Sequence, residues 1–371
     1  METLAPPHAA APAATLGPIR RTTKRITEAP PTTQSYSALL HTVRDQGLLR
    51  RAYGFYGLLV GALALALGGA ITGFVLLGDS WFQLLIAAAL GLIFTQFAFL
   101  GHEASHRQIA ASGPLNDRIG RILANCFVGI SYSWWMTKHT RHHANPNTVG
   151  KDPDIEKDTI SFLEEDAVQA KGLINAITRR QGYLFFPLLL LEGFNLHGRS
   201  IVSLFGRQRI EGRGRELAML GTRFAIYFGA IFWVLPLGMA FAFIGVQVAV
   251  FGLYMGASFA PNHKGMPIIA SGVKVDFLSR QVLTSRNVVG PGMTALLGGL
   301  NYQAEHHLFP NMPRPHLRKA AAITREHCRN ENITYTETTL MRSYGIVIRY
   351  LNRVGLSARD PFECPAAAAL R

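Results

Sequence analysis

Four long apolar runs constrain the fold of this chain more than any other feature of its sequence. They cover residues 53–78, 81–100, 217–238 and 239–261, and Arg223 is the one charged residue within them. Each run has roughly the 20 residues that a helix needs to cross about 30 Å of hydrocarbon. Four such runs in two close pairs favour two transmembrane hairpins over the buried helices of a large soluble core. We therefore predict an all-α integral membrane protein with four transmembrane helices.

Two weaker apolar stretches are excluded from this transmembrane set. Residues 122–136 are too few to span a bilayer, and residues 183–205 are interrupted by Pro187, Glu192 and Arg199. Charged residues within an apolar stretch are more typical of a helix that lies in the membrane interface. We expect the second stretch to lie along the membrane surface.

The positive charge is distributed unevenly about the apolar runs. The chain of 371 residues has a formal net charge of +14. Basic residues precede the first run and follow the second and fourth, namely Lys24, Arg25, Arg44, Arg50, Arg51, Arg107, Arg118, Arg121 and Lys264. The tight connections at Asp79 and Pro236 have none, so the positive-inside rule places both termini and the central segment in the cytoplasm, with the protein in the cell membrane. Because the charge flanks apolar runs, we expect membrane lipids as partners and no nucleic acid.

Composition divides the chain into three segments. Residues 1–35 are rich in Ala, Pro and Thr and are predicted to be a disordered tail, residues 36–335 form the membrane domain, and residues 336–371 form a C-terminal cytoplasmic helix and tail. We expect no cleavable signal peptide, since the first apolar run comes too late. The chain has three cysteines, Cys126, Cys328 and Cys364. Their spacing is not of a metal-binding type, and we expect reduced thiols.

Histidines gather where the apolar runs reach the predicted cytoplasmic face. The three clusters are "HEASH", which directly follows the second apolar run, "HTRHH" and "QAEHH". A further histidine lies in "PNHKGMP", where the fourth run ends. The histidines concerned are His102, His106, His139, His142, His143, His263, His306 and His307. Offsets of three and four residues place side chains on one face of a helix. We predict a helical cap in which these imidazoles converge.

A metal site is the chemistry that such a cluster favours. Imidazole suits zinc, copper, nickel and iron, and no cysteine lies near enough to indicate a structural zinc site. Eight nitrogen ligands exceed the capacity of one tetrahedral ion. The sequence therefore predicts two metal ions, without fixing which metal.

Carboxylates inside and beyond the clusters are candidates for a supporting role. Glu103 and Glu305 lie within clusters, and Asp152 and Asp154 follow the second one. We expect Glu103 and Glu305 to accept imidazole N–H groups next to the metals, and the aspartates are weaker candidates for the same role. The alternative is that all of them are solvated surface acids.

Gln303 occupies the first position of the third cluster and shares a helix face with His306 and His307. A neutral amide is a poorer ligand than imidazole, although it can offer either a carbonyl oxygen or an N–H. We predict that Gln303 is a weak participant beside the metals, and the alternative is a polar residue packed at a helix end. His197 is interpreted as a structural histidine of the interface, and His316 and His327 as surface residues.

The three clusters, in this order and around two pairs of apolar runs, resemble the histidine boxes of membrane fatty acid desaturases. The flanking words "HHANPN", "DPDI" and "EHHLFPNMPR" are similar to those of the family as well. The similarity covers about residues 40–335 and is greatest to the acyl-CoA or linoleoyl-CoA desaturase branch. The abundance of Ala and Arg suggests an actinobacterial source. The resemblance implies a di-iron centre that uses O₂ and two electrons to introduce a cis double bond into an acyl chain. It also implies that the seven box histidines are iron ligands and that His263 is an additional one.

The resemblance leaves the substrate and the electron donor open. Acyl-CoA is our preferred substrate over an acyl lipid, because Arg280 and Arg286 could bind its phosphates, although they could equally face anionic lipids or an acidic donor. Many relatives with a glutamine-type third box carry a fused cytochrome b5 domain with an H-P-G-G motif, which these residues lack. We therefore expect a separate ferredoxin-type or cytochrome b5-type donor with its reductase.

Two other functions remain as alternatives. A hydroxylase that acts on acyl chains could use the same di-iron scaffold. A histidine-rich metal transporter is disfavoured, because transporters hold their ligands near the bilayer midplane and these histidines gather at one face.

The arginine asymmetry generates a topological prediction. Cysteines introduced at Ser80 and Leu237 should react with an impermeant thiol reagent added outside intact cells, since both lie in connections without basic residues. Labelling from outside of a cysteine at Thr148, which lies on the histidine side, would contradict this orientation.

Overall fold

The computed structural model describes residues 25–28, 35–207 and 210–356. Most of the tail predicted to be disordered therefore lies outside the described residues, and so does Cys364. Cys126 and Cys328 are free thiols, as expected.

The described chain is predominantly helical. The α-helices are α1 (Tyr36–Asp45), α2 (Tyr53–Leu77), α3 (Gln83–Ser105), α4 (Gly113–Ile122), α5 (Tyr132–Ala144), α6 (Glu164–Val168), α7 (Gly172–Thr178), α8 (Gln181–Phe205), α9 (Arg213–Val234), α10 (Leu237–His263), α11 (Phe277–Leu283), α12 (Met293–Leu296), α13 (Gln303–Leu308), α14 (Leu317–Asn330) and α15 (Leu340–Leu356). A π-helical turn covers Leu123–Val128 and a 3₁₀ turn covers Arg314–His316. The strands are β1 (Arg25–Ile26), β2 (Ile268–Ile269), β3 (Asn287–Val289) and β4 (Glu337–Thr339).

Four of the described helices, α2, α3, α9 and α10, are long and apolar enough to cross a membrane, which confirms the predicted set of four. Helix α2 exposes apolar side chains such as Leu58 (76%) and Leu65 (79%), as expected of a surface that contacts lipid. The boundaries differ from the prediction by several residues. Helix α9 begins earlier, at Arg213, and its apolar run ends before Pro236. Proline lacks an N–H and is tolerated at a helix start, so α10 begins immediately after it.

Helix α10 is the centre of the bundle, and it packs against α3 on one side and α8 on the other. Its contact with α8 is a direct approach of two backbones. A Cβ atom at Gly252 would lie 2.3 Å from the Gly193 nitrogen, and one at Gly193 would lie 2.3 Å from the Val248 carbonyl oxygen. Glycine allows this approach, because it has no side chain to separate the two backbones.

Two short parallel strand pairs tie the cap together. Strand β1 pairs with β2, and β3 pairs with β4. Strand β1 lies inside the segment that we expected to be disordered, so that expectation is wrong for residues 25–28. Pairing with β2 and an ion pair of 2.6 Å between Arg25 and Glu165 hold this segment on the cap.

The backbone contact between α8 and α10 generates a stability prediction. Gly252→Ala should destabilise the protein by about 1–3 kcal/mol or more, because the added methyl group must push two helices apart. Gly245→Ala is the matched control on the same helix, since a Cβ there meets no atom within 4 Å. Thermal unfolding of the purified proteins in detergent measures both. Equal unfolding midpoints for the two variants would show that the contact is not tight.

Candidate metal site

The eight cluster histidines converge at one end of the helical bundle. His102 lies in the last turn of α3 and His106 is its C-cap, while the others project from three helices. Helix α5 carries His139, His142 and His143, α10 ends at His263, and α13 carries His306 and His307. The offset of four residues puts His102 beside His106 and His139 beside His143, as the sequence predicted.

The ring nitrogens form two groups, and within each group the ligand atoms lie within 4.8 Å of one another. The first group is His102, His106, His139, His143 and His306, and the second is His142, His263 and His307. His142 also lies within this distance of Asp152 and Asp154. Adjacent residues of α5 therefore contribute to different groups, because neighbouring positions on a helix point about 100° apart.

Each ring of the second group has its Nδ1 directed at an acceptor oxygen. His142 bonds Asp152 Oδ1 (3.0 Å), His263 bonds the carbonyl oxygen of Thr284 (2.9 Å), and His307 bonds Gln281 Oε1 (2.9 Å). A carboxylate or a carbonyl oxygen cannot donate, so Nδ1 carries the proton and Nε2 carries a lone pair in each ring.

The lone pairs of the second group face one another. His142 Nε2 is 3.3 Å from His263 Nε2. His307 Nε2 is buried and has no hydrogen-bond partner among the described residues. Buried polar atoms without a partner are rare because they cost free energy. A cation between these nitrogens would satisfy them, so the residues present fit a metal ion.

The first group shows the same crowding. His139 Nε2 lies 2.7 Å from His106 Nε2 and 3.1 Å from His102 Nε2, and His306 Nε2 lies 3.1 Å from His143 Nε2. Burial lowers the pKa of His106 to about 3. Burial and neighbouring imidazoles also lower the pKa values of His139, His143 and His306. Five ring nitrogens that converge in this way and stay neutral could together hold a metal ion.

The expectation that Glu103 and Glu305 accept imidazole N–H groups is wrong. Glu103 accepts hydrogen bonds from Arg314 Nε (2.8 Å) and Nη2 (2.6 Å). Glu305 accepts from the side chains of Asn287 (2.7 Å) and Tyr335 (2.8 Å). Neither carboxylate accepts from an imidazole within the part of the chain that the structure describes. Each is instead bound by residues distant in sequence, Arg314 for Glu103 and Asn287 with Tyr335 for Glu305.

Glu305 is enclosed by its partners. Burial raises the pKa of this carboxyl group to about 7, although the hydrogen bonds from Asn287 and Tyr335 oppose the shift. The main-chain N–H of Ala304 donates to Asn287 (3.0 Å), so the carboxyl group and the amide together fasten α13 onto β3. Glu305 thus holds the helix rather than the imidazoles.

The acceptors that the imidazoles use instead are Asp152, Gln281 and the Thr284 carbonyl. Asp152 was the weaker candidate from the sequence, and the other two were missed. Gln281 lies on α11, outside every histidine cluster, and a main-chain carbonyl has no sequence signature. Asp154 Oδ2 is 3.4 Å from His142 Nδ1, but its Oδ1 pairs with Lys138 at 3.0 Å.

Gln303 lies at the edge of the second group. Its Nε2 is 2.8 Å from His263 Nε2, and its Oε1 accepts from Asn262 Nδ2 at 3.1 Å. The same Asn262 nitrogen donates to the carbonyl oxygen of Ser258 (3.2 Å), which sets the direction of both amides. Gln303 therefore presents an N–H to the site and directs its carbonyl oxygen away from it.

His197, His316 and His327 lie outside both groups. His197 directs Nδ1 at the Gly193 oxygen (2.6 Å) and Nε2 at the Val128 oxygen (3.1 Å), which agrees with a structural role. His316 and His327, predicted to be surface residues, are half-buried.

The prediction that Arg286 belongs to a basic surface is wrong. Arg286 is 2% exposed, and its guanidinium donates to the carbonyl oxygens of Pro261 and Lys264 (2.9 Å to Lys264). Burial lowers its pKa to about 10. Arg280 donates to the carbonyl oxygens of Ala144 and Val275, each at 2.8 Å. Both side chains therefore bind the protein itself.

Four candidate membrane-spanning helices and two groups of converging imidazoles define an integral membrane protein with a site compatible with metal binding. The sequence model of the family described as "Fatty acid desaturase" matches residues 79–339, more than half of the chain. The chain therefore belongs to the fatty acid desaturase family, whose members are oxidoreductases.

Several characterised desaturases are similar to this chain. The Delta(8)-fatty-acid desaturase of Helianthus annuus is 31% identical over 327 residues, which cover 80% of this chain and 68% of that protein. The Delta(6)-fatty-acid desaturase fat-3 of Caenorhabditis elegans is 28% identical over 335 residues, covering 86% and 75%. The acyl-lipid (9-3)-desaturase of Borago officinalis is 28% identical over 287 residues, covering 73% and 63%.

Proposed function

We propose that this protein is a di-iron fatty acid desaturase that introduces a double bond into an acyl chain, with O₂ and two external electrons. The observation that carries the metal count is the division of eight imidazoles into groups of five and three. Nitrogen donors alone do not distinguish iron from zinc, and membership of the desaturase family is what favours iron. Bound iron would supply the oxidising power that an unactivated C–H bond requires.

Some side chains would hold the metal ions, and others orient the imidazole rings. His102, His106, His139, His143 and His306 would hold one ion, and His142, His263 and His307 would hold the other. Asp152, Gln281 and the Thr284 carbonyl keep the proton of the second group on Nδ1, so that each Nε2 carries a lone pair. Burial of His307 and His263 keeps water away from this part of the site.

An acyl lipid is the substrate class that we propose, with acyl-CoA as the second candidate. The argument for coenzyme A depended on Arg280 and Arg286. Arg286 is buried within the protein, and Arg280 donates to the carbonyl oxygens of Ala144 and Val275. A similar protein is named for its action on an acyl lipid. Substrate chains of this kind would reach the site from the surrounding membrane.

The orientation and the electron supply are further parts of the proposal. The basic residues that flank the helices favour a cytoplasmic site in the cell membrane. No H-P-G-G or G-x-G-x-x-G motif occurs in the 371 residues, so we propose that a ferredoxin-type or cytochrome b5-type donor with its reductase supplies the electrons.

Lipid analysis combined with metal analysis tests this proposal. A host that expresses the chain should accumulate a new unsaturated fatty acid, and the purified protein should contain two irons per chain. The protein should be inactive with NADPH and O₂ until a donor and reductase are added. Variant His306→Ala is the control for site-dependent activity.

Three outcomes would contradict separate parts of the proposal. A hydroxylated product would contradict desaturation, and one equivalent of zinc with activity retained would contradict the di-iron site. Turnover with NADPH and O₂ alone would contradict the separate electron donor.

The position of Gln303 generates a second prediction for this site. Gln303→Ala should retain both irons, because the amide directs an N–H toward the site and contributes no lone pair. Activity should fall about 10- to 100-fold, the loss typical of groups that surround metal ligands. His306→Ala and His307→Ala should lose iron and all measurable turnover. Iron loss in Gln303→Ala equal to that of the histidine variants would make Gln303 a ligand, and unchanged activity would make it a packing residue.

A further inference from the structure

Glu216 is a fully buried acid in the first turn of the membrane-spanning helix α9. Its carboxylate is directed out of its own helix, toward α5. Glu216 accepts hydrogen bonds of 2.6 Å from both Ser131 Oγ and Ser133 Oγ. It also accepts from the main-chain N–H of Ser133 at 3.2 Å. Several donors satisfy this buried carboxylate, which indicates a specific polar contact between the two helices.

These donors lie at the beginning of α5. Ser131 is the N-cap of that helix, and its side chain accepts from the N–H of Trp134 at 3.2 Å. Glu216 therefore satisfies a further N–H of the first turn and places negative charge at the positive end of the helix dipole. Arg121, whose Nε lies 3.4 Å from Glu216, balances the charge.

Helix α5 is the element that carries His139, His142 and His143. At a rise of about 1.5 Å per residue, these rings lie roughly 9–15 Å along the helix from Ser133. A shift or a fraying of the first turn would move all three imidazoles together. Sites of this kind tolerate displacements of only about 0.5 Å.

The other two histidine segments are fastened in a comparable way. Glu103 on α3 is bound by Arg314, and Glu305 on α13 is bound by Asn287 and Tyr335. The second segment, on α5, has no acid of its own in such a position, and Glu216 from α9 supplies one.

We infer that Glu216 is a positioning residue, which fixes α5 on the membrane hairpin so that His139, His142 and His143 reach the two groups of the site. The inference rests on the proposed role of these histidines as ligands. Glu216 touches neither an imidazole nor, in the proposed reaction, the substrate.

Hydrogen exchange of the full-length, metal-loaded protein tests this inference. The variants are Glu216→Gln, which keeps the shape and removes the charge, Ser133→Ala, which removes one donor, and their combination. Glu211→Gln is the matched control, since Glu211 is an exposed acid shortly before the same helix. The first two variants should exchange amides of α5 roughly five- to tenfold faster and leave α13 unchanged, as expected for the loss of a helix cap.

Release of iron to a chelator gives an independent readout. It should become about tenfold faster in Glu216→Gln, and the combined variant should show less than the sum of the two single effects, because the two residues share a contact. Unchanged exchange in α5, or equal acceleration in α5 and α13, would overturn the inference. Additive effects in the combined variant would overturn it too.

This design distinguishes a failure of the proposed function from a failure of the inference about Glu216. If the wild-type protein holds no metal, the proposed function fails, while the exchange rates of α5 still decide the role of Glu216. If Glu216→Gln does not fold, Ser133→Ala decides alone, since it keeps the acid and its contact with Arg121.

Discussion

Close packing of imidazole nitrogens is the constraint on which this structure depends. Pairs of imidazole Nε2 atoms face one another at 2.7–3.3 Å across the site. In the second group each Nδ1 is directed at an acceptor oxygen, so the lone pairs of His142 and His263 face each other and favour a positive charge beside them. The rest of the cap can be understood as the framework that keeps eight rings in place at this spacing.

Part of the framework acts on the rings and part acts on the helices. Three acceptors hold the rings of the second group by Nδ1, which leaves Nε2 directed inward. Three buried carboxylates hold the helices, and each has cationic or neutral donors that compensate its burial. A buried charge is tolerable only with such partners, and removal of one partner from a buried pair costs about 3–5 kcal/mol. The Glu103–Arg314 pair is the clearest case, because it joins the end of α3 to the turn after α13.

The sequence predicted the membrane helices and the eight histidines because both signals are local. Run length decides whether a helix can span lipid, and helical spacing decides which rings share a face. Helix ends were less predictable, since α9 continues into the charged turn that contains Glu216. In that turn Glu216 contacts the beginning of α5, and run length does not report such a tertiary contact.

The errors in the site have the same origin. Glu103 and Glu305 were assigned from their position beside histidines, yet Arg314 binds the first, and Asn287 and Tyr335 bind the second. Arg286 was assigned to the surface from its charge, yet main-chain oxygens at the end of α10 surround it. Each of these outcomes depends on partners far away in sequence, so only the folded chain reveals it.

One consequence concerns how freely the residues around the second group can change. His263 is oriented by the carbonyl oxygen of Thr284, which belongs to the main chain. That acceptor persists whatever side chain occupies position 284, whereas the acceptors of His142 and His307 vanish with Asp152 and Gln281. Among related chains, a substitution at position 284 would leave the orientation of His263 unchanged. A substitution at position 152 or 281 would require another acceptor nearby.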